Sequence, residues 1–217
     1  IGITFQKDGT LKLDSAKLTT ALGDATKDVA TLFAAVGKPT DSLVSFVGST
    51  ADTKNGAYLL SVSQLATQGK AVGGGAAVLT INAASNDTID LTVDGVAASV
   101  TLAAGTYTAA ALAAEIQSKI NGVIALSSAG ISVTVTQSAG VLSVTSNRYG
   151  STSTVTITGG TAKANLFGTQ TETAGVNVAG TIGGITATGS GQTLTGTGDA
   201  SGLALNVTGG ATGARGP

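Results

Sequence analysis

Asp87, Asp90 and Asp94 stand within eight residues of one another, and three carboxylates so close could hold a hard cation. Their neighbours argue otherwise. Asp90 lies between Ile89 and Leu91, so strand alternation turns it to solvent. Asp94 belongs to a turn with Gly95, and Asp87 caps a loop. A dedicated calcium loop needs more oxygen ligands on one fixed turn, so no metal is expected. Gly196, Thr197, Gly198 and Gly202 have the flavour of a dinucleotide loop. The spacing is wrong, however, and a strand pattern follows where a phosphate-holding helix N-terminus is needed. Gly73, Gly74 and Gly75 lack the Lys-Ser/Thr of a phosphate loop. The inventory leaves Ser-Lys or Ser-Asp hydrolysis open, but no Ser occupies a Gly-x-Ser-x-Gly elbow and no His is available as base. Tyr58, Tyr107, Tyr149 and Phe167 are too scattered to make a stacking platform. No catalytic, cofactor-binding or metal-ligating residue is therefore assigned, and no cofactor or enzymatic activity is expected.

The composition of the 217 residues agrees with that. There is no Cys, hence no disulfide, thiolate metal site or cysteine nucleophile, and no His, hence no imidazole ligand. A net charge of −1 with 11% charged residues gives no footprint for nucleic acid. No apolar run is long enough for a membrane-spanning helix. Thirty-two Gly, only 2 Pro and 3% aromatics, with abundant Thr, Ser, Ala and Val, suit thin β-layers joined by tight turns. The chain starts at Ile1 without a signal-peptide pattern and ends at Ala-Arg-Gly-Pro, the expected look of a piece of a longer protein.

The elements follow from periodicity. Asp94-Gly95 joins two alternating runs, strands near Thr88–Val93 and Ala97–Leu102, and reads as a type I′ hairpin because Gly accepts positive φ. Thr108 is the expected N-cap of a helix over 108–121. Leu112, Ile116 and Ile120 form its apolar stripe, Glu115 and Lys119 pair at i,i+4, and Gly122 stops it. Further strands are expected near Val78–Ala83, Gly130–Gln137, Val141–Ser146 and Ser153–Thr158. Gly9, Gly56, Gly95 and Gly140 are the expected structural turns, with Gly189-Ser190-Gly191 another. At the start, Asp14 caps a helix whose face is Leu18 and Leu22. Asp24 caps a second, with Val29, Leu32, Phe33 and Val36 on one side. Gly73-Gly74-Gly75 reads as a flexible joint. The expectation is a mainly β fold with a minor α component (α+β). A helical lead-in spans 1–40. A discontinuous β-domain spans 41–76 and 169–217, and it carries 77–168 as an inserted sheet-plus-one-helix domain.

Four stretches together resemble one family, flagellar hook-associated protein 2, the filament cap protein. They are GITFQKDGTLKLDSAKLTTALGDATKDVATLF from Gly2 to Phe33, AYLLSVSQLATQ from Ala57 to Gln68, the insert-like run from Asp90 to Thr158, and the Gly175–Gly213 run. Flagellins share the third stretch; the first and fourth favour the cap protein. The resemblance implies a head-domain fragment of an extracellular structural protein at the flagellar tip. Its parent would be exported by the flagellar type III apparatus and would form a homo-oligomeric ring that promotes flagellin polymerisation. The implied partners are other copies of itself, flagellin and hook–filament junction proteins. A flagellin variable domain and an adhesive module binding host mucin are the alternatives.

Overall fold

The computed structural model describes residues 2–23 and 36–217. The second lead-in helix expected from Asp24 lies, apart from Val36, outside the described residues. The first part is small. Strands Ile3–Phe5 and Leu11–Leu13 pair antiparallel around Asp8-Gly9. Gly9 N–H donates to Gln6 O and Gly9 has φ +85°, the geometry of a turn followed by a left-handed residue. Asp14 Oδ1 accepts from Lys17 N at 3.1 Å, capping helix Ser15–Gly23. The expected Leu18/Leu22 face is only partly buried: Leu22 is exposed and Ala21 is the helix's buried residue.

From Val44 onward the apolar side chains gather into two separate cores. One contains Val44, Leu60, Val62, Val178, Ile182, Leu194, Leu205 and Val207. Two four-stranded antiparallel sheets supply it. The first runs Ile185–Thr186, Ala179–Ile182, Leu60–Gln64, Gly213–Ala214. The second runs Thr188–Ser190, Thr193–Thr195, Ala204–Val207, Val44–Gly48. Residues from the 40s to 60s thus pair directly with residues beyond 178, at Phe46↔Leu205 and Leu60↔Ile182. We term this the outer unit.

The inner unit has the larger core. Strands Val133–Ser138, Val141–Ser146, Lys70–Ala76 and Thr171–Thr173 form one sheet, and Val155–Gly159, Thr88–Val93 and Val96–Thr101 another. Thr88–Val93 buries every second residue, as its alternation requires. Helix Ala109–Asn121 lies against them with Leu112, Ile116 and Ile120 fully buried. Each of those three contributes about 2 kcal/mol of apolar burial. Thr108 Oγ1 accepts from Ala111 N at 3.1 Å, the expected cap.

Several expectations are corrected. Gly73-Gly74-Gly75 lies within strand Lys70–Ala76 and is no joint. A Cβ on Gly74 would strike the Thr169 carbonyl, so the glycine allows close backbone approach. Lys70–Ala76 and Thr171–Thr173, grouped with the outer β-domain on sequence, hydrogen-bond within the inner sheet. Val78–Ala83 shortens to strand Thr80–Ile81. Short helices Ile124–Ser128 and Lys163–Leu166 carry too few residues for a readable period. The turn placed at Gly189-Ser190-Gly191 begins later, because Gly189 and Ser190 belong to strand Thr188–Ser190.

Candidate functional site

Polar groups gather at two joints, and the aspartate run makes a third place of interest. The first is the waist between the units. Thr67 N donates to Val176 O and Gly150 N to Thr67 O, both at 2.9 Å, and Gly175 N to Ser153 O at 2.8 Å. The Asn177 side chain spans the same gap. Its Oδ1 accepts from Ser151 N on the inner unit and Gly191 N on the outer unit, each at 2.9 Å. Its Nδ2 donates to Ser151 Oγ at 3.1 Å. Ser153, fully buried, accepts from Gly69 N at 2.8 Å.

The second joint is where the incoming and outgoing ends of the outer unit run side by side. Thr40 N and Oγ1 both donate to Pro217 O, at 3.2 and 2.9 Å. Arg215 N donates to Leu60 O and Leu60 N to Gly216 O. The Arg215 side chain, 9% exposed, reaches back to Asp41 Oδ2 at 2.8 Å and also donates to Gly209 O. The Asp41 carboxyl is held below its ordinary range, first by the Leu43 backbone N–H and then by the Arg215 guanidinium. Beside this clamp lies a cavity of about 640 Å³ lined by Phe46, Tyr58, Leu60, Leu203 and Leu205. The Tyr58 hydroxyl sits 2.7 Å from both the Lys54 and Asp199 carbonyls, closing one wall. Lys54 Nζ meets Asp199 Oδ1 at 2.6 Å, and that contact raises the lysine's pKa.

The third place is the aspartate run. Asp87 and Asp94 sit at opposite ends of strand Thr88–Val93 and do not converge. Asp87 Oδ2 accepts from Ala84 N at 2.8 Å. Asp94 accepts from Thr154 N at 2.9 Å and Ser146 Oγ at 2.8 Å, with Arg148 Nε 3.9 Å away. These carboxylates therefore spend their lone pairs on backbone and hydroxyl donors. No group of three or more metal-ligating side chains occurs among the described residues.

Of the four glycines singled out for turns, Gly9, Gly95 and Gly140 have φ of +85°, +83° and +80°. Asp94 and Ala139 precede the latter two at +50° and +49°, so both pairs are type I′ links. Gly56 differs. It lies in an exposed bend outside the left-handed region. The role of Asn177 was invisible in the sequence, since a lone Asn in the connection between strands Thr171–Thr173 and Ala179–Ile182 carries no spacing signal.

These joints and sheets define a class: a two-core β fold in which the inner unit is inserted between strands of the outer one. That is the fold of the D2–D3 domains of the flagellar cap protein FliD. The Escherichia coli D2–D3 structure matches 82% of this chain and 94% of its own, with 21% identity and a TM-score of 0.51. The Bdellovibrio bacteriovorus cap protein matches 83% of this chain and 99% of its own, with 15% identity and a TM-score of 0.53. An Escherichia coli structure that also contains D1 matches 92% of this chain and 60% of its own, with 22% identity and a TM-score of 0.52. No family model and no curated protein matches the chain.

Proposed function

We propose that this chain is the head of a bacterial flagellar filament cap, a structural and non-catalytic element at the distal tip that promotes flagellin polymerisation and filament elongation. The observation that carries this reading is the agreement of fold over nearly the whole D2–D3 unit of a flagellar cap protein. In this reading the partners are further copies of the chain in a ring, flagellin, and the proteins of the hook–filament junction. Export of the parent protein by the flagellar type III apparatus belongs to the same proposal. The hairpin glycines Gly9, Gly95 and Gly140 act structurally.

Immunogold electron microscopy of intact flagella, with antibodies raised against this chain, tests the proposal. Label confined to the distal tip is expected. Label along the whole filament would replace it with a flagellin variable domain. Label away from flagella, together with saturable binding of the chain to mucin, would replace it with an adhesive module.

A further inference from the structure

The chain contains two Asn-Gly pairs, Asn55-Gly56 and Asn121-Gly122, and the fold treats them in opposite ways. At Asn121 both ends of the side-chain amide are occupied. Oδ1 accepts from Val133 N at 2.8 Å and Nδ2 donates to Val133 O at 2.9 Å. The Gly122 N–H is engaged as well, donating to Ser118 O at 3.0 Å. Asn55 and Gly56 are both exposed, in the loop between strands Val44–Gly48 and Leu60–Gln64. Among the described residues, neither the Asn55 side chain nor the Gly56 N–H makes a hydrogen bond. A Cβ built on Gly56 meets nothing, so space around the peptide is open.

We propose that Asn55 is a site of spontaneous deamidation, with the Gly56 amide nitrogen as nucleophile and water as co-reactant. The Gly56 nitrogen attacks Asn55 Cγ and gives up its proton. The side-chain nitrogen leaves as ammonia, and a five-membered succinimide closes. Water then opens the ring at one of its two carbonyls. Breaking the bond to Cγ leaves aspartate; breaking the bond to the main-chain carbonyl leaves isoaspartate, with one extra methylene in the backbone. The sum is asparagine plus water giving ammonium and a carboxylate, with no change of oxidation state. Glycine favours ring closure because it lacks a side chain to obstruct the required backbone rotation. The new carboxylate stands next to Lys54, whose ammonium already pairs with Asp199, on the rim of the apolar cavity. An aged molecule therefore carries one more negative charge there than a fresh one.

Timed incubation of the folded chain at mildly alkaline pH, followed by proteolytic peptide mapping that separates aspartate from isoaspartate, tests this. Asn55 should convert on the order of tenfold faster than Asn121 in the native protein, and the two rates should converge in denaturant, where local protection is gone. Gly56→Ala fits the open bend without strain and should slow conversion at Asn55 on the order of tenfold. Equal native rates at the two sites, faster loss at Asn121, or conversion indifferent to Gly56→Ala would overturn the proposal.

Discussion

Asn121 grips Val133 as a neighbouring strand would: its carbonyl takes the Val133 N–H at 2.8 Å and its amide gives to the Val133 carbonyl at 2.9 Å. One helical turn earlier, Gln117 Oε1 accepts from Val135 N at 2.8 Å. Four residues of helix rise about 6 Å and two residues of strand about 6.8 Å, so i,i+4 amides match alternate residues of an extended edge. Val133–Ser138 is the edge strand of its sheet, and the helix occupies the side where another chain could pair. Asn121→Ala should leave two backbone groups of the buried Val133 unpaired and cost about 2–3 kcal/mol in urea unfolding. Amide exchange at Val133 should accelerate in parallel.

Two glycine substitutions separate strain from collision. Gly95 has φ +83° with open space where a Cβ would go, so Gly95→Val should cost about 1–3 kcal/mol through backbone conformation alone. Gly189 lies in a strand, yet a Cβ there would land on the Val178 carbonyl oxygen. Gly189→Ala should therefore damage the outer unit more than the far larger substitution at Gly95 damages the inner one. Thermal melts of the two variants rank them.

At the waist, alongside the backbone bonds, one side chain reaches both units. Asn177→Ala leaves the Ser151 and Gly191 amides without their shared acceptor, at a cost of about 1–2 kcal/mol. A second effect should appear in calorimetry. A single unfolding transition in the parent chain should broaden or split in the variant, because the two cores lose a shared tie.

Acid should loosen the clamp at Asp41. Its folded pKa lies below the unfolded value, so its contribution is fully present above the ordinary carboxylate range and is lost as pH falls through the lowered folded value. Asp41→Asn removes the partner of the nearly buried Arg215 and should destabilise the chain at neutral pH. The gap between variant and parent should close as pH falls below the ordinary carboxylate range, which urea unfolding across pH will reveal.

The legible parts of this fold were local. The hairpin at Asp94-Gly95 and the helix behind Thr108 are each encoded within a few residues, by turn chemistry and by a stripe at i, i+4 and i+8. What escaped were relationships across distance. Three successive glycines at 73–75 look like a hinge until the Thr169 carbonyl is seen to lie against one of them. Strand Thr171–Thr173 has three exposed residues and hence no alternation to read; pairing with Lys70–Ala76 alone defines it. Asn121 and Gln117 belong to this second kind, because no local pattern reveals which strand edge a helix will face.

The side-by-side ends bear on the order of events during folding. Thr40 and Pro217 meet across 177 positions of chain, and the outer sandwich joins strands from both sides of the inner unit. Closing so long a loop carries an entropic cost that grows with the logarithm of the free chain length. An inner unit that has already collapsed brings Thr67 and Val176 within bonding distance of each other, turning a long-range encounter into a short one. A preformed inner unit lowers the entropic cost of assembling the outer one, so a substitution that slows the hairpin at Asp94-Gly95 should also delay amide protection in outer strands it never touches, read by pulsed hydrogen exchange.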